Sequence, residues 1–110
     1  MTTPRIRLTA AVMDVLDVLM NASQEDPPWG LRICELTEMG SGTVYPVLDR
    51  LMKAGWITDS WEDPPPPDRP RRRFYELTST GREQYTAAAR SRDERRAGWT
   101  RPTRRPREAS

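Results

Sequence analysis

No histidine occurs in the chain, and Cys34 is its only cysteine. The first absence removes the commonest general base and any imidazole metal site; the second excludes a disulfide within the chain. Cys34 follows Ile33 and precedes Leu36 in a helical stretch, so it reads as a small buried hydrophobe rather than a sensor thiol. A nucleophile paired with a base, a glycine-rich phosphate loop and a cluster of metal ligands are also missing, so neither an enzyme nor a cofactor or metal site is expected. No apolar run approaches membrane-spanning length, and the N-terminus has no signal-peptide pattern, which points to a cytoplasmic protein. Lysine is nearly absent too: Lys53 is the only one among 18 basic residues, a bias that suggests a GC-rich bacterial genome.

With 110 residues the chain has room for one domain and one modest core. The formal charge of +2 hides an uneven distribution. Residues 1–63 carry 5 basic and 10 acidic side chains, whereas residues 64–110 carry 13 and 6. A basic C-terminal half on an acidic N-terminal half suggests a polyanionic partner on one side of the molecule, or a solvated tail.

The stretch Ser41–Gly55, SGTVYPVLDRLMKAG, organises the rest. Val44, Leu48 and Leu51 recur at helical spacing and form a buried stripe. The opposite face carries Thr43, Tyr45, Asp49, Arg50 and Lys53, hydroxyls and long cations that reach phosphate and base edges. Pro46 limits where the helix begins: an N-cap near Thr43, or a distorted first turn if Ser41 caps. Gly55 is a natural left-handed stop.

Upstream, residues 1–7 read as a flexible lead-in. Leu8 to Met20 forms a first helix with Leu8, Val12, Val15, Leu16 and Leu19 inward and Asp14 and Asp17 outward. A proline-ended connection follows, in which Asp26 is positioned to cap a second helix from Trp29 to Thr37. Trp29, Ile33 and Leu36 define its inner face, widened by Leu31 and Cys34, and Gly30 would permit close approach to the first helix. Glu38-Met39-Gly40 is then the tight turn of a helix-turn-helix.

After Gly55 the pattern changes to strand, Trp56–Trp61, then a proline-rich tip, Glu62–Pro70, then a basic strand, Arg71–Leu77. Arg69, Arg71, Arg72 and Arg73 cluster at the return of this hairpin, where a wing lying on phosphates needs them. The alternative is a charged edge strand that resists aggregation. Thr78 caps a fourth helix reaching about Arg96, weakly apolar through Tyr85, Ala88 and Ala89 and rich in arginine. Such a helix must pack on the domain or on a second chain. The expected organisation is mainly α with a small β-hairpin: a winged helix-turn-helix over 8–77, a C-terminal helix over 78–97, and a basic disordered tail over 98–110 that contains Trp99.

Ser41-Gly42-Thr43-Val44-Tyr45-Pro46-Val47-Leu48, with Arg50-Leu51 and Gly55-Trp56 after it, resembles the PadR family of bacterial transcriptional regulators. Arg71-Arg72-Arg73-Phe74-Tyr75-Glu76-Leu77-Thr78 with Gly81, and Trp29-Gly30 before Ile33, extend the resemblance over roughly residues 8 to 85. The resemblance implies a homodimeric repressor bound to an inverted-repeat operator in double-stranded DNA. It places Ser41, Thr43, Tyr45 and Pro46 of the recognition helix and Arg72 and Arg73 of the wing on DNA, and Arg50, Lys53, Arg69 and Arg71 are further candidates by their charge. It also implies dimerisation through the C-terminal and first helices, here Tyr85, Ala88 and Ala89 with Leu8 and Val12. Some members bind planar aromatic compounds at that interface, so a small aromatic effector is a candidate partner. Two other readings stay open: a winged helix for protein interaction, and RNA binding through the arginine-rich tail.

Overall fold

The computed structural model describes residues 6–23 and 25–100, with side chains described as far as Glu94. Four helices and one hairpin follow in order: α1 (Ala10–Asn21), α2 (Gly30–Thr37), α3 (Ser41–Lys53), β1 (Ile57–Trp61), β2 (Arg73–Leu77) and α4 (Ser79–Thr100). The strands are antiparallel, with Ile57 opposite Leu77 and Trp61 opposite Arg73. This is the winged-helix arrangement expected from the sequence. The fold keeps that order, but several boundaries move.

Helix α1 starts two residues later than its apolar pattern suggests, because the Thr9 hydroxyl accepts from the Val12 N–H at 3.2 Å and acts as the cap. Leu8 therefore lies outside the helix and is 48% exposed, while Met13 joins Val12, Val15, Leu16 and Leu19 in the core. Helix α2 is capped by the backbone of Trp29, with no side-chain cap, so Asp26 does not play that part. Its expected inner face is also narrower: Ile33 is buried and Cys34 half-buried, but Leu31 and Leu36 are exposed. An eight-residue helix wedged between α1 and α3 has room for one buried row, and Ile33 fills it. In the turn that follows, Glu38 takes the left-handed conformation (φ 59), not Gly40.

Helix α3 begins at Ser41 with Gly40 as N-cap, neither of the starts that Pro46 suggested. Thr43 and Val44 both donate to the Gly40 carbonyl at 3.0 Å, and Pro46 sits inside the helix. The missing Pro46 N–H leaves the Gly42 carbonyl without its usual partner; Gly42 is exposed, so water can take that role. Val44, Val47, Leu48 and Leu51 are buried, and Gly55 (φ 79) ends the turn after the helix as expected.

The core joins these helices to Trp56, Ile57, Tyr75 and Leu77 of the hairpin. Complete burial of one aliphatic side chain stabilises by about 1.5–3 kcal/mol, so the eight Leu, Ile and Val side chains less than 2% exposed dominate the fold. The wing is held by a third, short pairing that the sequence did not disclose: Trp29 bridges Phe74, and the Tyr75 N–H donates to the Pro28 carbonyl at 3.0 Å. Thr78 caps α4 as expected, accepting from the Gly81 N–H at 3.0 Å, and its hydroxyl also reaches the Gly55 carbonyl at 2.7 Å.

Helix α4 continues through Gly98 to Thr100, past the expected end near Arg96, and Tyr85 donates to Asp17 of α1 at 2.7 Å. The basic tail from 101 onward and the first five residues of the lead-in lie outside the described residues, as does the side chain of Trp99. Among the described residues no helix is long and apolar enough to cross a membrane. Gly81 packs its α-carbon against the Trp56 peptide, where an added Cβ would lie 2.9 Å from the carbonyl carbon and closer still to its oxygen. Gly81→Ala is therefore expected to destabilise the domain by about 1–3 kcal/mol. A thermal melt followed by circular dichroism checks this; an unchanged midpoint would contradict the packing.

Candidate nucleic-acid interface

The hydroxyl-bearing half of α3 faces outward. Ser41, Thr43, Tyr45, Pro46, Arg50 and Lys53 are all exposed, Tyr45 by 41%. Tyr45 does not project freely, because its ring lies over Gly30, where an added Cβ would come within 2.7 Å of Cε1 and Cζ. The close approach that Gly30 permits is thus to α3, not to α1 as the sequence suggested. Lys53 pairs with Asp49 one turn earlier at 3.0 Å, a surface pair of small energetic weight.

The four wing arginines divide into two kinds. Arg69 meets Glu62 with both terminal nitrogens, at 2.8 and 2.9 Å, and so closes the long tip of the hairpin on itself. Arg73 donates through Nε to Asp59 across the hairpin, with the Tyr75 ring 5.5 Å from its guanidinium carbon. Asp49 of α3 also adds to the field that keeps Arg73 charged. Both arginines are thereby engaged within the protein. Arg71 and Arg72 form no ion pair with another described residue; each lies over a tryptophan ring instead, Arg71 at 4.9 Å from Trp61 and Arg72 at 3.8 Å from Trp29.

These groups meet in one groove of about 460 Å³ between the start of α2, the first half of α3 and the wing. Tyr45 and Arg69, Arg71, Arg72 and Arg73 share it with Trp29, Trp61 and Tyr75. The structure thus brings Tyr45 and the arginine run together, while Ser41, Thr43, Pro46, Arg50 and Lys53 lie outside that lining. Sequence reasoning put Trp29 on the inner face of the second helix and Trp61 in the first strand, and gave neither a place in this groove. The available signal was strand alternation, which puts Trp61 beside the arginines, but only once the register with Arg73 is known.

Burial pushes the Tyr75 phenol above its usual range. Of the expected dimer contacts, Val12 is 1% exposed and lies in the core, so it has no surface to offer a second chain. Leu8 is exposed, and Tyr85, Ala88 and Ala89 are half-buried.

A helix-turn-helix followed by a hairpin that shares a cationic groove with its second helix defines a winged helix-turn-helix protein. The sequence pattern of the Transcriptional regulator PadR-like family matches residues 19–87, well over half of the chain. The chain belongs to that family, whose members are transcription regulators and not enzymes. No curated protein matches it.

Solved structures agree on the fold. A probable transcriptional regulator from Pseudomonas aeruginosa superposes with a TM-score of 0.68 at 27% identity, covering 86% of this chain and 66% of its own. A PadR family transcription regulator from Clostridium difficile R20291 gives 0.63 at 17% identity, covering 76% and 86%. A protein from Streptococcus mutans UA159 gives 0.64 at 21%, covering 80% and 83%.

The Arg69 guanidinium holds the Glu62 carboxyl below its usual value of 4.5. A depressed carboxyl contributes stability that is fully present above its unfolded value and is lost as pH falls through the folded one. Acidification below about pH 4.5 is therefore expected to loosen the wing tip before the helices melt. Glu62→Gln should remove that part of the pH dependence. Amide NMR of Glu62, Asp63, Asp68, Arg69, Arg71 and Arg72 across the titration checks this, and an acid response identical in the two proteins would count against the pairing.

Proposed function

We propose that the chain is a sequence-specific DNA-binding regulator that acts as a homodimeric repressor on an inverted-repeat operator, in the cytoplasm. One observation carries this reading: Tyr45 of α3 and Arg71 and Arg72 of the wing, which form no ion pair among the described residues, line the same groove on one face. A helix laid in the major groove would present Ser41, Thr43 and Tyr45 to base edges and phosphates, while the wing grips the flanking backbone. Arg50, at the far end of α3, adds a further cation that forms no ion pair among the described residues. Arg69 and Arg73 act indirectly, by giving the wing its shape.

The shape of α4 supports assembly into pairs. Its 22 residues extend about 33 Å, and among its described side chains Tyr85 and Ala88, with buried Gly81, meet the core. A weakly apolar helix of that length gains stability by packing on a second copy. Two copies would set their α3 helices one turn of duplex apart, about 34–36 Å. A planar aromatic effector seated between the copies would act by changing that spacing.

A dimer offering Arg50, Arg71 and Arg72 from each chain neutralises about six phosphates, so the log–log salt slope of binding should be about −5. Arg72→Ala is expected to weaken binding to all duplexes alike and flatten the slope. Tyr45→Ala should cost more on a duplex selected from a random pool than on the pool itself. Anisotropy titrations with both duplexes test this; a slope near zero, or equal losses for Tyr45→Ala on the two, would sink the reading. Light scattering on the same samples should give twice the chain mass.

A further inference from the structure

We infer that Trp61 is a positioning residue of the nucleic-acid face, holding the Arg71 guanidinium over its ring so that the guanidinium N–H groups are ready for phosphate. The inference rests on the DNA reading above and names a residue that the reading did not use. Trp61 closes β1 opposite Arg73, yet its indole is 51% exposed, too open for a core side chain. An exposed indole beside a run of arginines offers its π-face to a cation. Here Arg71 lies over that ring at 4.9 Å, and Arg73 approaches it at 5.7 Å.

The division of labour among the arginines gives the stack its meaning. Arg73 is already fixed by Asp59, so it does not need the indole for orientation. Arg71 forms no ion pair with another described residue, and the ring is the contact that orients it. A guanidinium lying on a π-face keeps its five donors in plane, directed past the ring edge. It then meets a phosphate with less rotamer freedom to give up than a solvated arginine has. Trp29 and Arg72 repeat the device at 3.8 Å, but Trp29 also bridges Phe74 and is part of how the wing docks. Trp61 separates orientation from folding more cleanly.

The test uses the full chain, a fluorescent mixed-sequence duplex and three salt concentrations. Trp61→Leu is expected to weaken binding about two- to five-fold per chain while leaving the salt slope unchanged, because no charge is lost. Trp61→Tyr, which keeps a π-face, should restore most of the affinity. In an Arg71→Ala background, Trp61→Leu should have little further effect. The inference is overturned if Trp61→Leu binds like the unaltered chain, or if its loss persists undiminished without Arg71. It is also overturned if Tyr rescues no better than Leu, or if the loss tracks a fall in melting temperature. Absence of salt-dependent duplex binding by the unaltered chain would sink the DNA reading itself; indifference of intact binding to Trp61 sinks this inference alone.

Discussion

The position of the wing depends on a short backbone pairing between the segment before α2 and the second strand. Tyr75 donates to the Pro28 carbonyl at 3.0 Å, and Trp29 bridges Phe74, their rings meeting edge to face at 6.3 Å. A two-stranded ribbon is marginal by itself in water. Joined along one edge to Pro28–Trp29, it is tied to the helix-turn-helix and forms one wall of the groove shared by Tyr45 and the arginines. The cap at Thr78 secures the other end, with its hydroxyl on the Gly55 and Trp56 carbonyls at 2.7 and 3.0 Å. The ribbon is thereby tied both at its base and along its side.

Charge is used in two distinct ways within five residues at the start of β2 and its approach. Arg69 and Arg73 satisfy Glu62 and Asp59, and their part is to hold the tip closed and the strands in register. Both pairs are partly exposed, so their weight lies in geometry more than in net stability. Arg71 and Arg72 lie on indoles and keep their charge available to a partner. A run of arginines that looks uniform in sequence is therefore half scaffold and half surface.

The acidic character of the first half of the chain fits this scheme. Asp49 adds to the field around Arg73, Asp59 and Glu62 receive wing arginines, and Asp17 receives Tyr85 of α4. Asp59 and Glu62 thereby balance arginines supplied by the second half.

The sequence by itself determined the order of elements and most of the core. The apolar rows Val12–Leu19 and Val44–Leu51, the glycine after α3 and the hydroxyl at Thr78 act through local periodicity and capping, which are written in adjacent residues. The tertiary structure alone decided the start of α3 despite Pro46, the exposure of Leu31 and Leu36, and the seat of Tyr45 on Gly30. It also decided which wing arginines meet a carboxylate and which an indole. Those outcomes depend on which carboxylate or indole a long side chain meets, as with Arg73 and Asp59 across the hairpin or Arg72 and Trp29 beyond it. Such partners are separated along the chain and become neighbours only once register and docking are fixed.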